Sequence, residues 1–279
     1  MEQITIKKLM KQKNNRIEKI LFNDKNKKVF LIENSNDNQK YIIKEIDLSN
    51  LTEDQKNISL QEEVKLSKLK HPNILNNYGS DYINNSIMIL FEYGEGGNLS
   101  NKIKNQNKIY FQENQIINWF IEICETIKFI HSKNYIYGEL KPENIFLNKD
   151  NHIKIGNYCI STNKNINITS ENIHYLSPEI IKGQYYDDKS DIWNLGIILY
   201  ELTQLKHPFG VNNSSIESKR NNILQGYYSY FSNMKYSQEL LDLIKGSLKV
   251  VPKERIEIDN ILFECYKIKN KKNFFFNEV

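Results

Sequence analysis

Alanine is absent from this 279-residue chain, and several other residue types are scarce in ways that narrow its class. Arginine occurs only at Arg16, Arg220 and Arg255, among 38 basic residues. Cysteine occurs only at Cys124, Cys159 and Cys265, without CxxC pairing. That excludes a disulfide framework and a cysteine-based metal module, and fits a reduced, intracellular and cytoplasmic protein. No run approaches about 18 apolar residues, so no segment reads as a membrane-spanning helix. The basic stretch Met1 to Lys13 has no apolar region behind it, which excludes a secretory signal. Glycine is missing from residues 1–78 altogether, so any phosphate loop of glycine-rich type is excluded there.

What is present is ordinary for a soluble globular protein: 39% hydrophobic and 26% charged residues, in a length sufficient to bury a core. Asparagine and lysine are abundant, as an AT-rich eukaryotic coding genome would produce, so many of them carry no functional message. The net charge of +4 is uneven. Residues 1–28 hold nine Lys/Arg against Glu2, Glu18 and Asp24. Solvated lysines on a strand edge account for this, and no specific nucleic-acid partner is read from it.

Along the chain, residues 17–93 carry a strand-like pattern. Val29 to Ile32 and Tyr41 to Ile43 flank an Asn-rich turn and predict a hairpin. Thr52, Glu53 and Asp54 open an amphipathic helix over 52–69, with Leu60, Val64, Leu66 and Leu69 as its apolar face. Ile87 to Phe91 reads as a buried strand. Residues 94–265 turn helical: Ile116, Phe120, Ile123, Ile127 and Ile130 recur at helical spacing, Asp191 to Leu202 is almost wholly apolar, and Leu240 to Ile244 marks another helix. The expectation is an α+β chain with a small β-rich lobe and a larger, mainly helical one. A basic extension (1–16) and a basic, aromatic tail (266–279) flank them. In the tail, Phe274 to Phe276 are expected to dock on the domain.

Ordered landmarks then carry a resemblance. Tyr41-Ile42-Ile43-Lys44 is followed by Glu63 in the helix and by His71-Pro72-Asn73-Ile74. Phe91-Glu92-Tyr93, Leu140-Lys141-Pro142-Glu143-Asn144 and Ser177-Pro178-Glu179 come next, then Asp191-Ile192-Trp193-Asn194-Leu195-Gly196, Pro252 and Arg255. In order and spacing they resemble a eukaryotic protein kinase domain over roughly residues 17–265. Glu92 to Leu99, Trp119-Phe120 and Pro142 to Leu147 are similar to NIMA-related serine/threonine kinases. The resemblance implies a two-lobed fold, with ATP and Mg²⁺ as cofactors and protein substrates or partners.

It also implies roles. Val29, Ile42, Lys44, Glu63, Glu92, Tyr93 and Phe146 stand at nucleotide-binding positions. Asn144 and Asn157 stand at the metal positions, Glu139 at the catalytic base, and Lys141 beside it. Lys44 is expected to pair with Glu63. Asp191 and the ion pair of Glu179 with Arg255 are structural.

Several positions depart from the family pattern. Tyr137-Gly138-Glu139 replaces His-Arg-Asp, and Asn157-Tyr158-Cys159 replaces Asp-Phe-Gly. Asn157 brings no charge to a hard cation, and Glu139 is one methylene too long for a base whose placement matters to about 1 Å. Gly138 removes the arginine that would meet a phosphate on Ser161, Thr162, Thr169 or Ser170. The reading is an inactive kinase fold acting as a scaffold or allosteric partner. Two alternatives remain open: a divergent kinase using Glu139, Lys44, Lys141 and Asn144, and a module that binds ATP without turning it over. Oligomeric state is not legible.

Overall fold

Short runs of β-branched and aromatic residues between Asn15 and Glu92 assemble into one antiparallel sheet. The structure, a computed structural model, describes residues 15–34, 38–156, 169, 172–185, 187–210, 215–231 and 235–276. The strands are β1 (Asn15–Asn23), β2 (Lys27–Asn34), β3 (Lys40–Asp47), β4 (Asn77–Ile83) and β5 (Ser86–Glu92), in the spatial order β1-β2-β3-β5-β4. The period of two sorts their side chains onto two faces. Ile32, Tyr41, Ile43, Met88 and Leu90 form one cluster. Leu48, Ile87, Ile89 and Phe91 form the other, with Ile42, Ile46, Leu51 and Leu60 packed on it.

Leu60 belongs to helix α1 (Glu53–Leu66), which starts in a capping box. Thr52 accepts from the Gln55 amide, and the Gln55 side chain accepts from the Thr52 amide. Val64, expected on the inward face, is 52% exposed, while its neighbour Glu63 is buried. Consecutive helical residues point about 100° apart, and the polar partners of Glu63 decide which of the two turns inward.

The chain divides into two compact units, Met1–Glu95 and Gly96–Val279. The second is built on helices. They are α2 (Leu99–Lys104), α3 (Glu113–Ser132), α4 (Pro178–Ile181), α5 (Asp188–Gln204), α6 (Ile216–Gln225), α7 (Gln238–Ser247) and α8 (Ile258–Phe276). The small hairpin of β6 (Ile145–Leu147) and β7 (Ile153–Ile155) lies between α3 and α4 in sequence. The predicted apolar stripe of α3 is realised, with Ile116, Phe120, Ile123 and Ile127 all at 0% exposure. Helix α5 runs through the core: every residue from Ser190 to Gln204 except Glu201 is buried. Gly196 lets α5 approach α7 closely, since a Cβ there would lie 2.7 Å from that of Ser247. Helix α8 continues to Phe276, although the side chains of Phe274 to Phe276 lie outside what is described. Among the described residues no helix is long and apolar enough to cross a membrane.

Candidate active site

In the helical unit the loop between α3 and β6 is organised by one buried carboxylate. Asp191, at 0% exposure near the start of α5, accepts from the Tyr137 amide at Oδ2 (2.9 Å) and from the Gly138 amide at Oδ1 (3.0 Å). His131 Nε2 lies 2.8 Å from the same Oδ2. The lone-pair directions of two carboxylate oxygens suit such a cluster of partners. The Tyr137 hydroxyl donates to the Gly156 carbonyl, which ties the loop to the end of β7. Gly138 sits at φ +82°, in the left-handed region.

Glu139 follows directly. Its carboxylate turns onto its neighbour, with Lys141 Nζ donating to Glu139 Oε1 at 2.5 Å. The two side chains are 42% and 25% exposed. The Asn144 side-chain amide donates to the Glu139 carbonyl at 2.8 Å, and the Asn144 carbonyl accepts from the Gly156 amide at 3.0 Å. A 3₁₀ turn over Pro142–Asn144 delivers Asn144 to this place. The structure thus brings Asp191 of α5 against the loop that carries Glu139, Lys141 and Asn144. Phe146, on β6, is half-buried and pairs with Lys154. Asn157, Tyr158, Cys159, Ser161, Thr162 and Ser170 lie outside the described residues, as do residues 1–14. Thr169 and Asn172 cap one another's amides.

Glu179 and Arg255 make a buried, two-pronged ion pair. Nη1 reaches Oε1 at 2.8 Å and Nη2 reaches Oε2 at 2.6 Å, with Ser190 Oγ adding a bond to Oε1 at 2.8 Å. The remaining guanidinium donors go to the carbonyls of Lys189, Lys249 and Val250, and the group lies over the Trp193 ring. Burial pushes the Glu179 carboxyl up, but the Arg255 hydrogen bonds and charge outweigh it and hold the group below the ordinary glutamate value.

A second cluster in this unit was not legible from the sequence. Ser100, Ile103, Lys104, Glu143, Tyr175 and Glu201 help line a cavity of about 390 Å³. Ser100 Oγ donates to Glu143 Oε1 at 2.8 Å, while Glu143 Oε2 is buried with no partner among the described residues. The Tyr175 hydroxyl donates to Glu201 at 3.0 Å. Burial, with Glu143 adding repulsion, pushes the Glu201 carboxyl up to about 8 against the opposing pull of Tyr175 and Lys104. The available signal was Glu201 standing in the apolar stretch that follows Asp191 in α5.

In the sheet unit, Lys44 on β3 is cross-strand from Val29 and Ile89, and Ile42 from Leu31 and Phe91. Lys44 is buried, and its charge acts on Glu63. Asn77 Nδ2 donates to Glu63 Oε1 at 2.7 Å, a partner that the sequence did not announce. Burial raises the Glu63 carboxyl above its ordinary value, with Asn77 and Lys44 pulling the other way. Glu92 Oε2 accepts from the Asn76 amide and side chain, and Tyr93 follows it, half-buried, at the end of β5.

The β1–β2 turn is filled from within. Asp24 Oδ1 accepts from the amides of Asn26 (2.9 Å) and Lys27 (2.7 Å), and the Asp24 amide donates to the Lys27 carbonyl at 2.9 Å. Among the described residues no group of three or more His, Cys, Asp or Glu is placed to hold a metal ion.

Comparison with known proteins bears on this geometry. The model of the protein kinase domain matches residues 24–266. The mouse serine/threonine-protein kinase Nek1 is 34% identical over 252 residues, covering 88% of this chain and 21% of that protein. The human serine/threonine-protein kinase Nek5 is 36% identical over 241 residues, covering 84% of this chain and 34% of that protein. A probable serine/threonine-protein kinase, nek3 of Dictyostelium discoideum, is 36% identical over 247 residues, at 84% and 22%. The chain thus spans about a fifth to a third of the length of these relatives. With its antiparallel sheet, its helical unit and its ordered motifs, this chain belongs to the protein kinase domain family and is similar to the NIMA-related (Nek) serine/threonine kinases.

Proposed function

We propose that this protein is an inactive serine/threonine kinase domain, a pseudokinase, that works by binding other proteins as a scaffold or allosteric partner. The observation that carries the reading is the contact of Lys141 with Glu139 at 2.5 Å. Phosphoryl transfer relies on positioning and on charge aimed at the phosphoryl group and at the incoming hydroxyl. Here the lysine that would face phosphate and the carboxylate that would take the proton neutralise one another.

The residues present fit neither ATP nor Mg²⁺ well. The turn amides that would approach phosphate are taken by Asp24. Asn144 is neutral and offers a hard cation only the dipole of its side-chain carbonyl. The cavity at Glu143 and Glu201 supports the binding role, since it offers a polar recess beside the loop for a side chain of a bound protein segment.

A second reading has its own support: Glu139 keeps a carboxylate in the loop, and the relatives are named as serine/threonine kinases. In that case the protein transfers the ATP γ-phosphate slowly to protein Ser/Thr.

Thermal stability measured with ATP, with and without Mg²⁺, together with a transfer assay, separates the two. Ligand at 100-fold its dissociation constant adds about 2.7 kcal/mol of stability. The expected result is no shift and no transfer in the unmutated chain, with recovery of neither by Glu139→Asp alone. An Mg²⁺-dependent shift accompanied by turnover overturns the inactive reading.

A further inference from the structure

We propose that Asp24 acts as a built-in anion that fills the β1–β2 turn of the sheet unit, holding it closed without nucleotide and rejecting polyphosphate. The inference rests on the reading of an inactive kinase fold and names the residue that sets this behaviour on the sheet side.

The observations are local and independent of the catalytic loop. A turn that receives a phosphate must present free backbone N–H groups and allow close approach, and glycine serves both needs. In this turn the two amides at Asn26 and Lys27 are both directed at Asp24 Oδ1. The Asp24 amide closes the turn by bonding to the Lys27 carbonyl. An entering phosphate would therefore have to displace one carboxylate oxygen from two charge-assisted bonds. It would also meet a like charge at the same point.

The side chains of Lys27 and Lys28 are directed elsewhere. Lys27 Nζ lies 5.5 Å from the centre of the Phe22 ring, and Lys28 Nζ lies 3.9 Å from Glu45 Oε2. Every residue from Leu21 to Asn26 carries a Cβ, which keeps a ligand at side-chain distance. Asp24 thus occupies the amides that a nucleotide phosphate would take on arrival.

The test uses the 279-residue chain and sodium tripolyphosphate as the probe. Amide signals of Asn26 and Lys27 are followed by NMR during titration, and their hydrogen exchange is measured alongside. Unmutated protein is expected to show no saturable response. Asp24→Ala is expected to exchange about 10-fold faster at these amides and to gain a saturable response to tripolyphosphate. Asp24→Asn retains an acceptor oxygen and is expected to keep the exchange protection, which separates the hydrogen bonds from the charge. The turn is exposed, and thermal melts check that both variants remain folded. Amides in the unmutated protein that titrate as readily as those of Asp24→Ala overturn the proposal. So does an Asp24→Ala variant no more responsive than the unmutated chain. Phosphoryl transfer by the unmutated chain would defeat the inactive reading, while the amide titration reports separately whether this turn takes polyphosphate.

Discussion

Two carboxylate–cation pairs in the helical unit have the same charges and opposite settings. Glu179 and Arg255 are 4% and 0% exposed, meet through two parallel bonds, and have their remaining polar atoms satisfied by Ser190 and backbone carbonyls. Glu139 and Lys141 are 42% and 25% exposed and meet through a single bond. The first pair is locked by everything around it and fixes how the segment before α5 joins the segment after α7. The second is two neighbours in one loop satisfying each other. What the difference teaches is that the frame and the chemistry of this fold are held by separate contacts, so one can decay while the other stays.

The comparison can be broken at several points. Arg255→Met should lower stability by about 3–5 kcal/mol, because it strands a buried carboxylate; urea unfolding reads this, and a loss under 1 kcal/mol would show that the pair is not a structural keystone. Asp191→Asn removes the charge that collects the Tyr137 and Gly138 amides, and should cost about 2–3 kcal/mol. Faster hydrogen exchange confined to residues 137–141 would confirm that the loss acts through the loop.

Opposite pH behaviour should follow for two acids of the helical unit. Glu179 is held low, so its contribution is present above the ordinary glutamate value and disappears as pH falls through its lowered one. Glu201 is pushed up to about 8, so its contribution is present at acid pH and declines as pH rises from the ordinary value towards 8. Glu201→Gln should flatten that alkaline decline by about 1 kcal/mol, with solvent in the open cavity limiting the effect. A decline that survives the substitution assigns it to another group. The smallest effect is expected for Glu139→Gln or Lys141→Met, under about 1 kcal/mol by the same urea unfolding. A loss as large as that for Arg255→Met would erase the contrast between the two pairs.

Much of the fold was legible because it rests on periodicity: the stripe of α3, the apolar run of α5 and the hairpin of β2 and β3 are patterns that a chain shows before it folds. Asp191, Glu179 and Arg255 were readable as members of ordered motifs. What escaped depends on side-chain direction. Nothing in the string Tyr137-Gly138-Glu139-Leu140-Lys141 says that Glu139 turns onto Lys141 rather than outward. Asn77 as a partner of Glu63 requires β4 to be placed beside α1, which no local pattern states. Val64 was assigned to the wrong face because apolar spacing was weighed without the pull of a buried polar neighbour. The turn bonds of Asp24 were within reach of the sequence, since Asn-Asp-Lys-Asn is turn chemistry, but which amides its carboxylate meets depends on the backbone of the turn.

Gly138 has a consequence for what its position tolerates. Its φ of +82° is a conformation that other residues enter at a cost of about 1–2 kcal/mol. The Asp191 carboxylate grips the Tyr137 and Gly138 amides, so the backbone cannot relax away from that conformation without losing both bonds. A side chain installed at 138 would therefore draw on the stability of the loop it enters, and the position acts as a gauge of how firmly Asp191 holds it.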